Sequence, residues 1–197
     1  MAVVTPTSPP VPSDEQLLER FARGDHEVLD ELFQRYRSLA YRVAFRLLGN
    51  EADALDAVQD GFVKALMNLP SFEGRSTFKT WLLRVVSNAS LDLGRQRGRK
   101  ETLSLDAVHS DERDQMTPQT LSNPAKGLER EDLRRMIDQA LEVLPEAQRQ
   151  TFVLHAEAEL SYREVAETLG ISIGTVMSRL FYARQKLRAF LAKWITT

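Results

Sequence analysis

The sequence predicts an all-α protein made of two small helical domains joined by a flexible linker. Three observations predict it. Apolar residues recur at spacings of three and four over most of the chain, which is the signature of helices with one buried face. No stretch alternates apolar and polar residues long enough to make a strand, and no internal repeat is evident. A polar, acidic segment with two prolines, ETLSLDAVHSDERDQMTPQTLSNPAKG, interrupts the periodicity at 101–127. The organisation read from this is a proline-rich tail at 1–13, a helical domain at 14–100, the linker at 101–127, and a second helical domain of four-helix type at 128–197.

Each element has a local reason. Ser13, with Gln16 three residues later, is a capping box for a short helix from Asp14 to Arg23 that stops at Gly24. A long helix from Asp25 to Leu48 carries Val28, Leu29, Leu32, Phe33, Tyr36, Leu39, Ala40, Val43 and Leu47 at helical spacing and stops at Gly49. A third helix spans Glu51 to Leu69, with Leu55, Val58, Phe62, Val63 and Leu66 as its expected buried stripe, and Pro70 ends it. After the loop SFEGRS, a fourth helix starts near Ser76. It places Phe78, Trp81, Leu82, Val85, Val86 and Ala89 on one face and fades into the basic run RQRGRK.

Composition narrows the function. The chain has 197 residues, 43% of them hydrophobic and 27% charged, with a net charge of −2. That balance excludes a uniformly basic protein that coats nucleic acid. There is no cysteine, so disulfides and cysteine-held zinc are excluded. The three histidines, His26, His109 and His155, are far apart in the sequence, and no metal or other cofactor is expected. No phosphate-cradling glycine loop and no carboxylate–histidine cluster suggest an enzyme. The N-terminus lacks a basic start and an apolar core, so the expected location is the cytoplasm, without membrane insertion.

The charges are segregated. Asp53, Asp56, Gln59 and Asp60 lie mainly off the apolar stripe of the third helix and are expected to form an exposed acidic patch. From Arg75 to Lys100 the net charge is +6. From Ser172 to Lys193 there are five basic residues and no acid. That last segment lies within SYREVAETLGISIGTVMSRLFYARQKL, 161–187, which has the layout of a helix-turn-helix. Ser161 and Glu164 form a capping box. Ala166 is small where a second helix crosses, Gly170 can take the left-handed backbone of the turn, and Val176 packs the second helix back on the first. Ser172 caps that second helix, which would enter a DNA major groove N-terminus first.

A helix-turn-helix alone would also suit a regulator that binds a palindromic operator. The motifs DALDAVQDGFVKAL and STFKTWLLRVVSNASLDLGRQRGRK would then be unexplained. Together with the C-terminal motif, they resemble the extracytoplasmic-function sigma factors of bacterial RNA polymerase, over about 14–100 and 128–191. The resemblance implies that Asp53, Asp56, Gln59 and Asp60 meet core RNA polymerase. It implies that Phe72, Arg75, Lys79, Asn88, Arg95, Arg97 and Arg99 meet the melted −10 element of promoter DNA. It implies that Ser172, Thr175, Ser178, Arg179, Tyr182 and Arg184 meet the −35 duplex, and that the linker lies along the polymerase's active-site and RNA-exit path. An anti-sigma factor is the expected regulatory partner, and the free chain is expected to be a monomer. The chain departs from the family at Leu55, where an acid is common, and at Met177 and Tyr182, where basic residues are common. Met177 cannot grip guanine with two hydrogen bonds as Arg does, so a −35 preference cannot be carried over from other members.

Overall fold

The computed structural model describes residues 11–104 and 124–195. Its eight α-helices among these residues are α1 (Asp14–Ala22), α2 (Val28–Leu48), α3 (Glu51–Asn68), α4 (Phe78–Ser104), α5 (Pro124–Glu142), α6 (Glu146–Ala156), α7 (Tyr162–Leu169) and α8 (Ile173–Ile195). A single 3-10 turn, Leu69–Ser71, follows α3. The chain divides into two compact units, Met1–Ser38 and Leu39–Thr197.

In the first unit, α1 starts as its sequence demands. The Gln16 amide donates to Ser13 Oγ, and the Ser13 amide donates to Gln16 Oε1, closing the capping box. Arg35 donates to Asp14 at 2.6 Å, and the Tyr36 hydroxyl donates to the other oxygen of the same carboxylate. One acid at the start of α1 is thus held by two successive residues of α2.

In the second unit, α3 and α4 pack closely. The face of α3 turned inward is made of Ala54, Ala57, Val58, Gly61 and Ala65. A Cβ added at Gly61 would lie 2.9 Å from Val86 Cα. Small residues are what let two helix backbones approach so far. This corrects the stripe expected on α3. Only Val58 of that stripe is buried; Phe62 is half-buried, while Leu55, Val63 and Leu66 are exposed. The expectation equated side-chain size with burial, whereas close helix packing selects small residues.

The remaining elements differ from expectation mainly at their ends. The second helix begins at Val28 rather than Asp25. The fourth starts at Phe78, with the Thr80 amide donating to Thr77 Oγ1 at 3.1 Å as an N-terminal cap. The expected linker is helical at both ends, because α4 runs to Ser104 and α5 begins at Pro124. A lone glycine such as Gly98 or Gly127 costs a helix only about 1 kcal/mol, and proline is tolerated in a first helical turn. Residues 105–123 of the linker, and the tail up to residue 10, lie outside the described residues.

The helices from α5 onward gather around Leu141, Leu144, Val153, Leu154, Leu160, Val165, Val176 and Leu180, all buried. Buried Thr151 returns its hydroxyl to the Ala147 carbonyl at 2.7 Å, which satisfies it within α6. No helix among the described residues is long and apolar enough to cross a membrane.

Candidate nucleic-acid interface

The helix-turn-helix forms as its residues require. The Glu164 amide donates to Ser161 Oγ, and the Ser161 amide donates to Glu164 Oε2 at 2.9 Å, capping α7. Gly170 ends α7 with φ 65°, ψ 38°, a left-handed conformation that other residues adopt only at a cost. Ala166 and Val176 are buried at the crossing of α7 and α8. Ser172 caps α8 through the Thr175 amide at 3.1 Å. Its hydroxyl also meets the Thr175 hydroxyl at 2.8 Å, and the Ser178 hydroxyl donates to the Thr175 carbonyl at 3.0 Å. Ser172, Ser178, Tyr182 and Arg184 are exposed, and Thr175 and Arg179 are half-buried. Beside them, Ile173, Met177 and Phe181 are also exposed, which the periodicity of the sequence did not single out.

The loop and helix that carry the other basic residues are built around an aromatic cluster. The Phe72 ring lies 5.2 Å from that of Trp81 and 6.2 Å from that of Phe78, between ring centres. Phe78 is buried, whereas Phe72 and Trp81 are half-buried. Arg75 is exposed and pairs with Glu73 at 2.5 Å. Asn88 is exposed. Lys79 pairs with Glu159 at 2.5 Å, and on the next turn of α4 Arg84 pairs with Glu164 at 3.4 Å. Lys79 is therefore a cation already engaged with an acid. Glu159 holds a positive φ of 58°, unusual for a residue other than glycine. Arg95 pairs with Asp92 at 3.1 Å on the surface of α4. Arg99 lies where the side chains are outside the described residues.

Asp53 needs correction as a member of an exposed acidic patch. It is 2% exposed. Asn50 caps α3 by accepting from the Asp53 amide at 2.8 Å, and the Asn50 side-chain amide donates back to Asp53 Oδ2 at 2.8 Å. Arg97 of α4 completes the arrangement as an ion-pair partner of the Asp53 carboxylate. Asp53 thus ties the start of α3 to the basic end of α4, and Arg97 is occupied in doing so. The signal was present: Asn50 followed by an acid three residues later has capping-box spacing. Asp56, Gln59 and Asp60 are exposed as expected, with Asp60 paired to Lys64 at 2.7 Å. The same helix also exposes Leu55, Val63, Leu66 and Met67. Its outer surface is therefore mixed acidic and apolar. Among the described residues no group of three or more His, Asp or Glu is placed to hold a metal ion.

The described residues thus combine a helix-turn-helix in one part of the chain with a close α3–α4 pair of opposite charge in another. The family model for sigma-70 region 2 matches residues 32–100, and that for sigma-70 region 4 matches residues 134–187. The chain is 35% identical over 175 residues to the ECF RNA polymerase sigma factor SigE of Mycolicibacterium smegmatis, covering 87% of this chain and 66% of that protein. It is 33% identical over 177 residues to the ECF RNA polymerase sigma-E factor of Salmonella typhimurium, covering 89% of this chain and 92% of that protein. The solved sigma factor RpoE of Bartonella quintana, in complex with the anti-sigma factor NepR, aligns with a TM-score of 0.58 at 26% identity, covering 82% of this chain and 97% of that one. The chain belongs to the extracytoplasmic-function sigma factors of bacterial RNA polymerase.

Proposed function

We propose that this sigma factor docks on core RNA polymerase through the outer face of α3 and reads two promoter elements with two separate helices. The observation that carries the reading is the pairing of α3 and α4. One helix shows Asp56, Gln59 and Asp60 together with exposed Leu55, Val63 and Met67, and its close neighbour carries the basic residues. Core polymerase is the partner for the first surface, and single-stranded −10 DNA is the ligand for the second. Phe72 and Trp81, half-buried at the loop, offer aromatic rings on which an unstacked base can rest. Stacking of a base on an aromatic ring is worth about 1–3 kcal/mol, comparable to the few kcal/mol that unstacking it from the duplex costs.

The −35 duplex is assigned to α8, whose N-terminal turn would enter the major groove while Arg184, Lys186 and Arg188 lie toward phosphates. Two modest contacts on one chain reinforce each other through effective concentration. A chain whose net charge is −2 can in this way bind a promoter without a large basic excess in either domain. The domains act as 14–100 and 128–197 with the linker between them. The factor has no catalytic activity of its own and works in the cytoplasm with the polymerase. The RpoE–NepR complex supports an anti-sigma factor as a regulatory partner of this chain.

The test is transcription in vitro with core polymerase and a library of fragments from the host genome. Defined start sites are expected only when the chain is added. Initiation from none of the fragments, with protection of a palindrome by the chain alone, would overturn the reading. A variant carrying D56R and Q59R should lose core binding while keeping its helical circular dichroism spectrum; unchanged core binding refutes the assignment of α3.

A further inference from the structure

The N-terminal half of α8 carries a chemical mismatch. Its surroundings are basic, yet Ile173 is 47% exposed and Met177, one turn on, is 55% exposed. These apolar groups sit at i and i+4 and share one face of the helix. The polar groups beside them are partly spent: the hydroxyls of Ser172 and Thr175 meet each other, and that of Ser178 is donated to the Thr175 carbonyl. Between Ser172 and Lys193 there is no acid, so the face is complementary to a polyanion. The major-groove edges of the bases offer such a face one apolar group, the C5-methyl of thymine.

We propose that Met177, with Ile173 beside it, makes this chain select thymine in the −35 duplex by apolar contact with the C5-methyl. The inference rests on the assignment of α8 to the −35 element and adds the base that it prefers. Methionine suits the task because its unbranched thioether side chain adapts to the position of the methyl. Arg179, half-buried on the same turn, and exposed Arg184 supply the charge that holds the helix in the groove. Selection then comes from shape and desolvation where an arginine would use hydrogen bonds.

The test uses holoenzyme assembled from the full chain and core polymerase, on a promoter from which it initiates. Each thymine of the −35 duplex is replaced in turn by deoxyuridine, which lacks only the methyl. Removing the contacted methyl should weaken promoter binding about four-fold, the worth of one buried methyl-sized group. M177A should show a similar loss on the thymine duplex and no further loss with deoxyuridine, whereas M177L should keep the deoxyuridine penalty. Insensitivity of the unaltered chain to deoxyuridine at every position overturns the proposal, as does a −35 element without thymine or a penalty that M177A leaves intact. Deoxyuridine-insensitive DNA binding, with M177A losing only the capture of a protein partner, assigns the face to that protein and also overturns it. A holoenzyme that initiates with no protection of the −35 duplex brings down the assignment of α8 itself, a result distinct from the others.

Discussion

The approach of α3 to α4 can be tested at a single atom. Replacing Gly61 with Ala puts a Cβ 2.9 Å from both Val86 Cα and Val86 Cγ2. The Cα belongs to a helix backbone and cannot rotate away, so α3 and α4 must separate. Gly94, also inside a helix, is the control. A Cβ there meets Leu48 Cδ2 at 3.3 Å, the free end of a side chain that can yield. Both substitutions gain about 1 kcal/mol of helix propensity, so that contribution cancels between them. Overpacking against an immovable neighbour costs about 1–3 kcal/mol. G94A should therefore be neutral or stabilising, and G61A should be less stable than G94A by about 1–3 kcal/mol. Urea unfolding followed by circular dichroism reads the difference. With a slope of about 2 kcal/mol per molar urea, the midpoints should separate by roughly 0.5–1.5 M. Adding V86A should not rescue G61A, because the clash with the helix backbone at residue 86 persists after Cγ2 is removed. A G61A protein as stable as G94A would refute the claim that small residues on α3 set the helix separation.

Two further outcomes follow from the charged groups. R97A strips the partner from a buried Asp53 carboxylate; water reaches half-exposed Arg97, so the loss should be about 1–2 kcal/mol, below that of a fully buried pair. R95A, whose Asp92 partner is exposed, should change urea stability by less than about 0.5 kcal/mol, and equal effects would show that Asp53 is not held by Arg97. Burial, and then the neighbouring Asp14 carboxylate, hold the Tyr36 phenol well above the ordinary tyrosine range. A raised pKa stabilises the fold fully below the unfolded value of about 10, and that stability is lost as the pH rises above it. Y36F should therefore flatten the alkaline fall in stability, and an unchanged alkaline limb in a stability–pH series would count against the Tyr36–Asp14 contact.

The contrast between motif and packing explains what could be read in advance. The capping boxes at Ser13 and Ser161, the left-handed turn at Gly170 and the helix-turn-helix were legible because each depends on residues a few positions apart, whose chemistry has few alternatives. The inner face of α3 was not. Leu55, Val63 and Leu66 have the spacing of a core stripe, but so do Ala54, Ala57, Val58, Gly61 and Ala65, and helical periodicity cannot choose between two stripes on one helix. Asp53 reads as a surface residue for a related reason. Its charge suggested exposure, while its two restraints come from Asn50 locally and from Arg97, distant in sequence on α4.

Local spacing and composition were enough for the helical class, the break between the two helical regions, the helix-turn-helix and the segregation of charge. Three matters waited on tertiary packing: which face of α3 is left exposed, which acids and bases are already committed to one another, and that Met177 and Ile173 stand open on α8. Those outcomes depend on how close two backbones come and on which side chains they enclose, quantities that involve residues far apart along the chain.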